Sequence, residues 1–133
     1  MATTYLIDSN VLIDYTSKKF EPAAEQKLDF IFNTSFNYSV ISKIEVLGYN
    51  APAETLLNIE KFLSVGFTHY LTEEICKQTI LIRRGLPKTK LPDLIIASTA
   101  IVSNSTLLTR NVGDFKNIPD LKVVDPWSWV NEI

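Results

Sequence analysis

Thr4-Tyr5-Leu6-Ile7-Asp8-Ser9-Asn10-Val11-Leu12-Ile13-Asp14 begins as a β-rich run too short for an ordinary helix. At Asp8 it passes into residues suited to capping a helix that starts near Asn10. The same change of period recurs down the chain. Further β-rich runs fall at Tyr38-Ser39-Val40-Ile41, Phe67-Thr68-His69-Tyr70-Leu71, Thr106-Leu107-Leu108-Thr109 and Leu121-Lys122-Val123-Val124, each bounded by Asn, Asp, Ser, Gly or Pro. Between them apolar residues return at helical spacing: Ala24, Leu28, Ile31 and Phe32; Leu56, Ile59 and Leu63; Ile75, Thr79 and Ile82; Leu94, Ser98 and Ile101 beside Ile95 and Val102. Strands separated by helices long enough to cross over imply parallel pairing. The expected fold class is α/β, with a mainly parallel sheet of about five strands and helices on both faces.

Helix boundaries are marked by Pro22 before Ala23-Ala24-Glu25, by Thr72 before Glu73-Glu74, and by Pro92-Asp93 opening an apolar stretch. Gly66 and Gly85 follow apolar helical runs, where a left-handed C-terminal residue is expected. The 133 residues fit one domain, 1–133, and 46% hydrophobic with 21% charged residues argues against disorder. Cys76 is alone, which excludes a disulfide or cysteine-based zinc site within the chain and points to a reducing, cytoplasmic setting; we read it as a buried helix residue. No basic region followed by an apolar stretch opens the sequence, and no window approaches the roughly 18 apolar residues of a membrane span, so no membrane partner is expected. A net charge of −2 would ordinarily count against nucleic acid. The charges are uneven, however: Glu21, Glu25, Asp29, Glu54 and Glu60 crowd the first half, whereas Lys77, Arg83, Arg84, Lys88, Lys90, Arg110, Lys116 and Lys122 crowd the second.

Open parallel sheets bind ligands beyond the carboxyl ends of their strands. Asp8 closes the first run, Glu45 follows the second by a turn of helix, Asp93 opens a helix whose start faces the same edge, and Asn111 and Asp114 follow the fourth run. Each acid taken alone has a structural explanation: a cap for Asp8, a dipole partner for Asp93, a solvated helical residue for Glu45, a turn former for Asp114. Together on one rim they would repel and raise one another's pKa unless a cation neutralises them. A divalent ion resolves that conflict, and magnesium suits such an oxygen set; it could lower the pKa of a water nucleophile while stabilising charge on a leaving oxygen. His69 is the only histidine, so a two-histidine ribonuclease mechanism is unavailable, and we read it as structural. An aspartyl phosphatase would carry Asp-x-Asp after its first strand, where this chain has Asn10.

Four stretches in this order resemble the motifs of a PIN domain, specifically a VapC toxin of a bacterial toxin-antitoxin pair. They are Tyr5-Leu6-Ile7-Asp8-Ser9-Asn10-Val11-Leu12-Ile13-Asp14, Ile41-Ser42-Lys43-Ile44-Glu45-Val46-Leu47, Leu91-Pro92-Asp93-Leu94-Ile95-Ile96-Ala97-Ser98-Thr99-Ala100 and Leu108-Thr109-Arg110-Asn111-Val112-Gly113-Asp114-Phe115, with a final strand ending in Val124-Asp125-Pro126-Trp127. The resemblance implies a three-layer α/β/α fold, magnesium- or manganese-dependent endoribonuclease activity on RNA, and a VapB antitoxin as partner. It carries catalytic roles to Asp8, Glu45, Asp93 and Asp114, with Asp8, Asp93 and Asp114 as metal ligands. Asn10, Thr109 and Asn111 are supporting residues; many relatives carry either Asp or Asn where this chain has Asn111.

The competing readings are a PIN-like module that binds RNA or protein without cleaving it, and a metal-dependent phosphatase. An intact carboxylate set favours an enzyme over the binder, which would have no need for four acids on one rim. Arg83, Arg84, Lys88 and Lys90 run directly into Asp93 and, with Arg110, are candidate RNA-binding residues; the alternative is solvated surface and partnership with a helix dipole. Trp127 and Trp129 near Pro126 suggest packing against the domain or a symmetric partner, and the resemblance favours a homodimer.

Overall fold

A computed structural model describes residues 3–129. Among these residues β1 (Tyr5–Ile7), β2 (Asn37–Ser39), β3 (Phe67–His69), β4 (Thr106–Leu108) and β5 (Val123–Val124) form one parallel sheet in the order β3-β2-β1-β4-β5. The chain crosses from β1 to β2 through α1 (Ser9–Thr16) and α2 (Pro22–Thr34), and from β2 to β3 through α3 (Val40–Leu47) and α4 (Ala53–Ser64). It crosses from β3 to β4 through α5 (Glu73–Gly85) and α6 (Leu91–Val102). The short α7 (Val112–Phe115) leads toward β5, and a 3-10 turn, Pro126–Ser128, follows. The α/β expectation holds. The expected domain 1–133 includes residues 1, 2 and 130–133, which lie outside the described residues.

Alternation along the strands divides the core in two. Ile7 and Leu108 face Val11, Leu12, Leu28 and Phe32, whereas Leu6 and Leu107, one residue back in each strand, face Leu94, Ala97 and Ala100. The result is three layers. α6 is buried on nearly every side, at Leu94, Ile96, Ala97, Ser98, Thr99 and Ala100, because α5 packs along it and α3 and β4 also touch it. Single-face spacing therefore understates its burial. No helix among the described residues is long and apolar enough to cross a membrane.

β2, β3 and β4 end before their β-rich residues do, and at β2 a side-chain cap turns the chain. Ser39 stays extended while its hydroxyl accepts the Ile41 N–H at 3.0 Å, so Val40 and Ile41 begin α3 instead of prolonging β2. Thr72 caps α5 through the Ile75 N–H, and Tyr70 and Leu71 are left exposed beyond β3. The turn at Ser39 places Glu45 on α3, within reach of the charges of Asp8 and Asp93. Trp127 packs on Phe20 with ring centroids 4.1 Å apart, giving the expected attachment of the C-terminal aromatics to the domain. Cys76 is in α5 as expected but only half-buried.

Neither Gly66 nor Gly85 adopts the expected left-handed conformation; among the described residues that conformation falls to Lys18, Asn104 and Asp120. Space explains Gly66: a Cβ there would stand 2.5 Å from the Phe36 ring. That ring cannot retreat, being buried and packed against Phe32 and Phe62 at 4.9 and 5.1 Å between centroids. Gly85 is the last residue of α5, and a Cβ there meets nothing within 4 Å. In urea denaturation Gly66→Ala should lose about 1–3 kcal/mol through overpacking. Gly85→Ala should hold or gain stability, by up to about 1 kcal/mol, because alanine loses less chain entropy in a helix.

Candidate active site

The strand order reverses at β1: the chain builds outward through β2 and β3, then returns to add β4 and β5 on the other side. A crevice forms where such a sheet changes direction. Register pairs Ile7 with Leu108, so the next residues, Asp8 and Thr109, stand side by side at its mouth. The Asp8 N–H donates to Leu108 O and the Thr109 N–H to Val124 O, both at 3.0 Å, which holds both positions to the sheet beyond its formal ends.

Asp8 is buried, 5% exposed, and fully engaged. Its Oδ1 accepts the Ser9 N–H at 2.8 Å, capping α1, and its Oδ2 accepts the Thr109 hydroxyl at 2.8 Å. The capping role and membership of an acidic cluster are thus both realised. Thr109 Oγ1 also receives the Asn10 side-chain amide at 3.2 Å and the Asn111 N–H at 3.1 Å. With two donors occupying its lone pairs, its own proton is directed to Asp8. Asn10 is oriented by a further contact, since its Oδ1 accepts the Arg110 N–H at 3.1 Å. The supporting residues Asn10, Thr109 and Asn111 therefore form one network behind Asp8.

The other acids surround this point closely enough for their charges to act on one another. Burial raises the Asp8 pKa and the Asp114 charge adds to the rise, against opposing hydrogen bonds from Thr109 and Ser9. Burial also raises Glu45, helped by the charges of Asp8 and Asp93 and opposed by the Ser9 hydroxyl. Asp93, in the first turn of α6, is raised by burial and by Asp8 and Asp114, and lowered by Lys90. Glu45 and Asp114 are exposed, Asp93 is half-buried, and Asp8 forms the floor. Among the described residues no three His, Cys, Asp or Glu side chains stand gathered in metal-holding geometry. Direct contact by one or two carboxylates with water completing the shell is what magnesium commonly takes. The donor set, all oxygen with mutually raised acids and neither His nor Cys, fits that class of cation.

Spacing does not single out Ser9, although its hydroxyl acts on both Asp8 and Glu45. Its position beside Asp8 is the available signal. His69 lies at the end of β3 with Nε2 3.3 Å from Asn37 Oδ1, and burial lowers its pKa, in keeping with a structural part. Of the basic candidates, Lys90 acts by its charge on Asp93; Arg83 donates to Thr89 O at 3.0 Å, and Arg84 and Lys88 are exposed. Arg110 is held elsewhere, its Nη2 2.6 Å from Asp14 Oδ2 and its guanidinium 4.1 Å from the Trp127 ring centroid.

The raised acids make stability depend on pH. Asp8, Glu45 and Asp93 have folded pKa values above their unfolded ones of about 4, so the folded chain binds their protons more tightly. The stability they contribute is fully present below the unfolded values and is lost as pH rises through the folded ones. In urea denaturation with a chelator present, wild type should weaken across that interval. Asp8→Asn should weaken less and match or exceed wild type at neutral pH, since Asn also caps α1. Identical pH profiles for the two proteins would contradict this placement of the charges.

No family model matches the sequence. A stretch of 35 residues is 51% identical to Ribonuclease VapC2 of Rickettsia felis, covering 26% of this chain and 25% of that protein's length. Similarity in structure extends much further. A chain of the VapBC2 complex from Rickettsia felis bound to a promoter DNA fragment superposes with a TM-score of 0.78 at 23% identity, covering 92% of this chain and 98% of that one. DNA-bound VapBC from Salmonella typhimurium gives 0.81 at 21% identity, with 94% and 99% covered. A toxin-antitoxin complex from Klebsiella pneumoniae gives 0.74 at 28% identity, with 98% and 100% covered. With its three layers, its β3-β2-β1-β4-β5 sheet and its carboxylates at the reversal of strand order, the chain has the VapC-type PIN-domain fold.

Proposed function

We propose that this chain is a magnesium- or manganese-dependent endoribonuclease and the toxin of a toxin-antitoxin pair. The observation that carries the reading is the convergence of Asp8, Glu45, Asp93 and Asp114 at the reversal of strand order, with three of them raised in pKa partly by one another. The local 51% identity to a ribonuclease and the near full-length likeness to toxin-antitoxin proteins support it. Asp8, Asp93 and Asp114 would hold the cation, one or two of them directly and the rest through its water shell, and the cation would supply Lewis acidity and a lowered pKa for water. Thr109 and Ser9 fix the Asp8 carboxylate toward the rim. Glu45, exposed and with its pKa raised by burial and by the charges of Asp8 and Asp93, would accept the proton of a water attacking the phosphodiester, since a raised pKa makes a carboxylate a better base. A phosphatase reading gains nothing from Asn10, whose amide is committed to Thr109 and the Arg110 N–H.

The partners in this proposal are an RNA substrate, a VapB-type antitoxin and a second copy of the chain. Exposed Ile44, Tyr49, Tyr70, Leu71, Ile80 and Leu81 offer apolar surface for protein contacts. A basic antitoxin side chain entering the acidic pocket would silence it by neutralising the site.

Purified protein incubated with RNA oligonucleotides and with a chromogenic phosphomonoester, with and without manganese, tests the reading. Manganese-dependent RNA cleavage is expected; hydrolysis of the monoester alone would favour the phosphatase, and RNA binding without cleavage the passive module. Asp8→Asn and Asp93→Asn should each reduce cleavage by more than the roughly 10- to 100-fold typical of an outer-shell loss. Glu45→Gln should be severely impaired and Asn111→Ala milder.

RNA is drawn to the acids, on this reading, by Arg83, Arg84, Lys88 and Lys90. Replacing all four with Gln should weaken RNA binding at low salt and reduce the log-log salt slope by roughly 0.7 for each phosphate no longer neutralised. The rate at saturating RNA should change much less, because such interactions bind ground and transition states alike. Unchanged affinity and slope would assign the four to solvated surface.

A further inference from the structure

We propose that Arg110 is a positioning residue: gripped by Asp14 and Trp127, it clamps the segment from Thr109 to Asp114 against α1 and so sets the geometry of the acidic rim. Arg110 lies between Thr109, which donates to Asp8, and Asn111, whose N–H bonds back to Thr109 Oγ1 at 3.1 Å. Any freedom at Arg110 is therefore passed to both. Three restraints act on it. Its N–H is fixed by Asn10 Oδ1 at 3.1 Å, its Nη2 stands 2.6 Å from Asp14 Oδ2, and its guanidinium lies over Trp127 at 4.1 Å.

Both anchors are themselves held. Asp14 is a buried carboxylate on α1, the helix that Asp8 caps, so the ion pair ties the loop after β4 to the helix after β1. Arg110 supplies the partner that a buried carboxylate requires. Trp127 packs on buried Phe20 with ring centroids 4.1 Å apart, and its backbone N–H donates to Asp125 Oδ1 at 2.9 Å just beyond β5. The clamp thus joins the chain ends leaving β1, β4 and β5. A planar, forked guanidinium can pair with a carboxylate along its edge and stack on an indole with its face, which a lysine ammonium cannot do at once. An arginine kept for phosphate would instead be expected to point away from a buried carboxylate.

The kinetic part of the test rests on the ribonuclease reading, and a second part does not. In steady-state RNA cleavage, Arg110→Met and Asp14→Asn should each lower kcat roughly 10- to 100-fold, the scale of a small misplacement of catalytic groups. KM should stay within about twofold, and the double variant should be little worse than the poorer single one, as residues acting as a unit require. Arg110→Lys should not restore kcat. If Arg110 is a phosphate contact, Arg110→Met raises KM with kcat intact, Arg110→Lys rescues it, and Asp14→Asn leaves cleavage unimpaired; that pattern overturns the clamp. Hydrogen exchange followed on the folded chain needs no catalysis. Both variants should speed exchange at the Arg110 and Asn111 amides at least tenfold while the β1 amides keep wild-type protection. Unchanged exchange at those two amides overturns the proposal whether or not the protein cuts RNA, whereas faster exchange in a protein that cuts nothing overturns the nuclease reading alone.

Discussion

A single hydrogen bond, from the Thr109 hydroxyl to Asp8 Oδ2 at 2.8 Å, joins the ends of two parallel strands that are neighbours in the sheet and 101 residues apart in the chain. An ionised carboxylate with 5% exposure is costly unless its oxygens are satisfied. Thr109 and the Ser9 N–H satisfy them without supplying positive charge, which offsets part of the rise in pKa that burial imposes on Asp8. The same bond locates the crevice, because β1 and β4 are adjacent only where the strand order reverses. Asn10, Asn111 and Arg110 are all arranged around it.

The molecule places rigidity and repulsion at different positions. Away from the rim, Phe32, Phe36 and Phe62 pack with centroids about 5 Å apart. The Tyr38 hydroxyl donates to Leu63 O at 2.7 Å and accepts from Thr68 at 2.8 Å, tying β2 to α4 and β3. At the rim, four like charges are held near one another and three are raised in pKa. A well-packed scaffold keeps such a cluster from spreading, and a site strained by its own charge is one that a divalent cation would relieve. Binding and stability are linked at that point, since any ligand of the folded state alone adds to its stability.

Much of this was legible in the residues. Alternating periods indicated strands, helices and parallel pairing, and the rule that ligands gather at strand ends selected Asp8, Glu45, Asp93 and Asp114. The glycines misled, because sequence cannot distinguish a residue chosen for backbone freedom from one chosen for lack of bulk; Gly66 is small for the sake of Phe36. Strand ends were placed too late at Ile41 and Leu71 because β propensity is weaker than a capping hydroxyl that turns the chain. Arg110 carried only a charge in the sequence, and its neighbours there, Thr109 and Asn111, say nothing of Asp14 or Trp127.

What the sequence determined by itself was local: which segments are helical or extended, and which acids fall just beyond strands. Those depend on residues a few positions apart. What the tertiary structure decided was every pairing across the sheet: that Asp8 meets Thr109, that Asp93 and Glu45 feel Asp8, and that Arg110 is occupied by Asp14 and Trp127. These depend on the order β3-β2-β1-β4-β5, which brings distant segments together through burial of Leu6, Ile7, Leu107 and Leu108. Hydrophobic burial is non-directional, so an apolar pattern marks strands for a shared core without naming their neighbours. Register and side-chain hydrogen bonds supply the directions, and they exist only once the strands have met.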